Sequence, residues 1–141
     1  MNEENWASRL IVDSAIEAHR ALGGPGLIES VYEEALAYEL EHRSAVVRRQ
    51  VPIPIVYKGV DLGSPLRVDL IVNECVLVEC KAISTFNKIF QVQVLTYLRL
   101  TRLKLGMVIN FGESRVIDGI HRIANGLTPA TQEPCDDPPL D

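Results

Sequence analysis

Long apolar runs are missing from this sequence. No stretch approaches the roughly 18 consecutive apolar residues of a membrane helix, so no spanning segment is expected. The start, Met1-Asn2-Glu3-Glu4-Asn5-Trp6, lacks the basic flank and apolar centre of a secretory signal. Cysteine is scarce. Cys75, Cys80 and Cys135 are odd in number and have no metal-ligand spacing, which argues against a disulfide framework or a zinc cage. A reduced, cytoplasmic setting is the simplest reading. His19, His42 and His121 stand apart from one another and read as structural or exposed. Gly23-Gly24-Pro25-Gly26 has no preceding strand and no Lys-Ser/Thr ending, so it is not a phosphate loop. No Ser or Cys stands in a nucleophile motif.

Excess positive charge is also absent: the net charge of −5 argues against holding nucleic acid by bulk electrostatics. The negative charge is unevenly spread. Gly126 to Asp141 holds Glu133, Asp136, Asp137 and Asp141, four prolines, and neither Lys nor Arg. It reads as an acidic, Pro-rich, disordered tail behind a single domain over residues 1–125. Setting those four charges aside leaves −1 on the body. Arg48-Arg49 and the group Arg99, Arg102 and Lys104 are basic clusters that read first as solvated faces.

Apolar spacing predicts a helix over Ala7 to Leu22, with Asn5 or Ser8 as N-cap, ended by the glycine stretch. A second helix is predicted from about Ile28 to His42. Val46 to Val56 reads as a strand, bent or at a sheet edge because of Pro52 and Pro54. A third helix is predicted over Phe86 to Leu103, with Gly106 as its C′ residue. Met107 to Phe111 and Arg115 to Ile123 read as the last strands. The strand–helix–strand passage from Val76 to Phe111 reads as a parallel crossover, expected to be right-handed.

The chemistry concentrates in Arg67 to Lys81, two apolar strands around Asn73-Glu74 interrupted by Asp69, Glu79 and Lys81. Alternation puts Glu79 and Lys81 on one face with Leu77, and Val76, Val78 and Cys80 on the other. Burying a carboxylate and an amine side by side is costly unless they are paired or form a site. A three-residue loop, Asn73-Glu74-Cys75, sets Asp69 opposite Glu79, with Cβ atoms roughly 4.5–5.5 Å apart. A two-residue turn would split them across two faces. The longer loop is the expectation. Two further pairs share helical faces: Gln93 with Tyr97, and Glu29 with Tyr32. For each a structural role is the simpler reading in isolation, and for Glu29 the helix dipole supplies one.

Together these features resemble a known family. Gly26-x-x-Glu29-x-x-Tyr32 is the name-giving motif of the bacterial GxxExxY proteins, members of the PD-(D/E)XK nuclease superfamily. Asp69 in Arg67-Val68-Asp69-Leu70, then Glu79-Cys80-Lys81, Gln93-x-x-x-Tyr97 and Gly106 to Gly112 continue the pattern from Ala7 to Asn125. Val68 departs from the nominal Pro. The resemblance implies an α/β fold with an αβββαβ core, a mixed central sheet flanked by helices. It implies that Asp69 and Glu79 ligate Mg²⁺ or Mn²⁺ with the Cys80 carbonyl, and that Glu29 lies near or on the metal. By the same resemblance Lys81 orients or activates the attacking water. Gln93 and Tyr97 buttress the site and meet substrate phosphate, with Tyr32 beside them on the substrate side. The implied activity is phosphodiester hydrolysis of nucleic acid, DNA or RNA. The alternative is an inactive member that binds nucleic acid or a protein partner. Little chain is left outside the core, so a homodimer or protein partner is the expected source of missing substrate contacts.

Overall fold

The computed structural model describes residues 2–126. The predicted tail therefore lies, but for Gly126, outside the described residues. Helices α1 (Glu3–Ala21) and α2 (Glu29–His42) come first. Strand β1 (Val47–Ile53) and a small hairpin, β2 (Val56–Tyr57) with β3 (Val60–Asp61), follow. Then come β4 (Leu66–Val72), β5 (Val76–Lys81), α3 (Ile89–Thr101), β6 (Leu105–Asn110) and β7 (Ile120–Ala124). The main sheet has the order β1-β4-β5-β6-β7. Only the β5–β6 pair is parallel, and α3 makes the connection. This is the mixed α/β core expected.

Each face of the sheet buries one core. Ile11, Leu36 and Leu40 from α1 and α2 pack on Leu70, Val72, Val78, Met107 and Ile109. On the other face, Val94 and Leu98 from α3 pack on Ile71, Leu77, Val108 and Ile123. Leu77 and Val78 thus point to opposite cores, as a strand covered on both faces requires.

Several boundaries differ from expectation for local physical reasons. The α1 cap is Asn2, whose Oδ1 accepts from the Asn5 N–H at 2.8 Å; Asn5 and Ser8 are buried inside the helix. Val46 to Val56 is not one strand, since β1 ends at Ile53 and the chain re-pairs as the β2–β3 hairpin. The turn of that hairpin uses left-handed Lys58 (φ 50°) and Gly59 (φ 81°), which two-residue hairpin loops favour. Helix α3 begins at Ile89, where the Asn87 side chain accepts the Ile89 N–H at 2.9 Å. It ends on Arg102, which takes a left-handed φ of 62°, so Gly106 is not its C′ residue. Gly106 lies inside β6, where a Cβ would stand 2.5 Å from Val94 Cγ1; glycine lets α3 close onto the sheet. A 3-10 turn over Val116–Gly119 replaces the first half of the expected last strand.

Candidate active site

The β4–β5 loop is Asn73-Glu74-Cys75, with Asn73 (φ 52°) and Glu74 (φ 55°) both left-handed. Asn73 also ties the loop to the start of β1: its N–H donates to the Val46 carbonyl and its Oδ1 accepts from the Val46 N–H, both at 2.8 Å. The resulting register pairs Val72 with Val76, Ile71 with Leu77, and Leu70 with Val78. One step further along, Asp69 stands across from Glu79. There side chains take over the backbone donors: Glu79 Oε1 accepts the Asp69 N–H at 2.9 Å, and Asp69 Oδ2 accepts the Cys80 N–H at 2.8 Å. Each carboxylate is thereby fixed on the facing strand.

Glu79 and Lys81 share the α3 side of β5 with Leu77, while the Cys80 side chain is fully buried toward α1 and α2. Burial, and then the surrounding carboxylates, push the Cys80 thiol well above its ordinary range. Only the backbone of Cys80 can serve the carboxylate face. Burial and the nearby Asp69 charge push Glu79 up to about 7, against the opposing effects of the Asp69 N–H and Lys81. Asp69 is raised too, first by burial, with the Cys80 N–H, the Gln50 amide and Lys81 working the other way. Two desolvated carboxylates side by side form a locus that favours a cation or a proton. The Lys81 ammonium lies 4.4 Å above the Phe90 ring centroid, so α3 holds it from the side opposite the strand.

The other expected residues are placed unequally. Glu29 opens α2 and is exposed; partial desolvation raises its carboxyl, Lys81 lowers it and Asp69 raises it, so it lies within electrostatic reach of the pair. Tyr97 is half-buried, and its hydroxyl is raised by burial and then by the charges of Glu79 and Asp69. Gln93, one turn earlier, is exposed. Tyr32 is fully buried, stacked on Phe111 with ring centroids 4.8 Å apart. Its hydroxyl donates to the Gly24 carbonyl at 2.6 Å and accepts from the Leu27 N–H at 3.1 Å. It fastens the glycine loop to the core and has no surface to offer substrate. His19 behaves as a structural histidine, buried with Nε2 3.1 Å from the Phe111 carbonyl oxygen.

Three residues beside the site went unread. Glu33 is one turn after Glu29 on α2, and that spacing was the available signal. It is buried, and both its oxygens accept from Gln50 Nε2 at 3.0 Å. Gln50 in turn reaches Asp69 Oδ1 at 3.3 Å. Asn110, buried at the end of β6, accepts the Ile83 and Gly112 N–H groups and donates to the Ile83 carbonyl, each at 3.0 Å. It locks the chain just beyond Lys81.

A family model described as the PD-(D/E)XK nuclease superfamily matches residues 5–123. The chain belongs to that superfamily. No curated protein and no solved structure matches it. As a PD-(D/E)XK member it has a nuclease-type fold, and such nucleases generally use divalent metals and act on nucleic acid. Among the described residues no group of three or more His, Cys, Asp or Glu side chains is close enough to hold a metal ion. Asp69 and Glu79 nevertheless fit a hard cation, because an all-oxygen donor pair suits an ion that keeps several of its own waters.

Proposed function

We propose that this chain is a metal-dependent nuclease of the GxxExxY kind that hydrolyses phosphodiester bonds. The observation that supports it most is the facing pair Asp69 and Glu79, each fixed by a peptide N–H of the opposite strand and each raised in pKa by burial. In this reading Asp69, Glu79 and the Cys80 carbonyl hold Mg²⁺ or Mn²⁺, and Glu29 closes in from α2. When bound, such an ion lowers the pKa of water and stabilises charge on the leaving oxygen.

The rest belongs to the chain. Lys81, next to Glu79 on the same strand face, sets a positive charge beside the attacking water and offsets negative charge on the phosphate. Phe90 limits where that ammonium swings. Tyr97 and Gln93 line the α3 side, where a phosphate oxygen would accept from the Tyr97 hydroxyl. The body carries little net charge, so most of the attraction for a phosphodiester must come from the site itself.

The test is a cleavage screen over single- and double-stranded DNA and RNA, with Mn²⁺ and with EDTA. Metal-dependent cleavage that Lys81→Ala abolishes, with unchanged circular dichroism, is the expected result. Binding of the same nucleic acids without cleavage by the wild type would favour the inactive, binding-only alternative.

A further inference from the structure

Resting on that reading, we infer that Gln50 is a positioning residue that ties the buried Glu33 to the Asp69 carboxylate and sets the direction in which Asp69 faces the metal. Three observations converge on it. First, Gln50 sits in mid-strand with φ 50°, a left-handed conformation costly for a residue that is not glycine. It stands across from Asp69, where the β1–β4 ladder skips from Arg49↔Leu70 to Val51↔Val68. Secondly, the core face of β4 changes at this point: Leu70 packs toward α1 and α2, and Ile71 toward α3, yet Val68 also packs toward α3. The distortion is therefore centred on Gln50 and Asp69. Thirdly, the strained residue is held at both ends. Its carbonyl accepts from Arg67 Nη1 at 3.2 Å, and its amide nitrogen donates to both Glu33 oxygens and to Asp69 Oδ1.

Glu33 is the fixed end of this chain. It is 6% exposed and also accepts from Arg49 Nη2 at 3.2 Å. An amide carries two N–H groups, so one can serve Glu33 while the other serves Asp69. With Oδ2 on the Cys80 N–H and Oδ1 on Gln50, the Asp69 carboxylate has one orientation, yet each oxygen keeps a further lone pair for a cation. Partners of this sort typically alter metal affinity 10–100-fold on removal.

The discriminating variant is Gln50→Gly. Glycine adopts φ 50° without strain, which offsets the entropy that glycine adds to the unfolded chain, so the change removes the amide while keeping the fold. Mn²⁺ binding is measured by calorimetry on the full chain, with thermal melting in EDTA alongside. We expect the melting temperature to hold while Mn²⁺ affinity falls about tenfold. Glu33→Gln should lower affinity in the same direction, and Gln50→Gly combined with Glu33→Gln should be no worse than Gln50→Gly alone, because Glu33 acts through Gln50. A merely structural role would not weaken metal binding in a protein that melts no lower. Wild-type affinity in Gln50→Gly overturns the inference and leaves the metal site standing. Absence of Mn²⁺ binding in the wild type removes the metal reading and this inference with it.

Discussion

At the scale of single residues, the facing carboxylates should make stability depend on pH. Burial and Asp69 raise Glu79 from 4.5 to about 7, so the folded state holds a proton that the unfolded chain has released. The native state then binds more protons than the unfolded state between these values, and stability falls as pH rises through that window. Melting in EDTA should show this decline between about pH 4.5 and 7, and Glu79→Gln should flatten it; a wild type that gains stability over that range relative to Glu79→Gln would contradict the assignment. Mn²⁺ competes with the same proton, so its affinity should climb with pH up to about 7 and level off above it. At Lys81 the effects separate differently: Lys81→Ala should leave melting within about 1 kcal/mol of wild type, since the ammonium is not part of either core. Cleavage, by contrast, should be lost.

At the scale of elements, the site depends on how β5, the loop after it and β6 are locked together. Asn110 binds the Ile83 backbone, and Gly112 passes so close that an added Cβ would overlap the Ile83 carbonyl oxygen. Gly112→Ala should therefore cost about 1–3 kcal/mol by overpacking, read as a lower chemical-denaturation midpoint, and should loosen the strand end that carries Lys81. No change in midpoint would show that the Ile83 segment yields freely. Much of this arrangement was legible beforehand. The Asp69–Glu79 register was expected from a three-residue Asn73-Glu74-Cys75 loop, and the pairing of Val72 with Val76 has that loop. Other features left no mark in the spacing. Gly106 resembled a helix stop because periodicity does not reveal how closely α3 approaches β6. Arg102 and Gln50 adopt left-handed conformations that neither residue type advertises. Tyr32 shares a helical face with Glu29 by spacing, but the stack on Phe111 draws it into the core. Glu33, at the next turn, reaches Gln50 on β1.

For the whole molecule, one sheet serves two cores and one site. Among the described residues, the α1–α2 core and the α3 core are built from residues between Ala7 and Ile123. Removing Gly126 to Asp141, the stretch read from sequence as a disordered tail, should leave the melting temperature within a degree or two of wild type; a large drop would mean that the tail contributes to the fold. The proposed site would draw on three layers, with Glu29 and Glu33 supplied by α2, Asp69, Glu79 and Lys81 by the sheet, and Tyr97 by α3. A site assembled in this way would form only when both cores are packed, which would tie metal affinity to folding. In the proposed function, Asp69 and Glu79 together bind a divalent cation. Mn²⁺ calorimetry on the wild type beside Asp69→Asn and Glu79→Gln tests it without any choice of nucleic acid. The expected result is binding by the wild type, lost in both variants, with circular dichroism unchanged in all three. Binding that survives in either variant, or that is absent from the wild type at millimolar Mn²⁺, would contradict it.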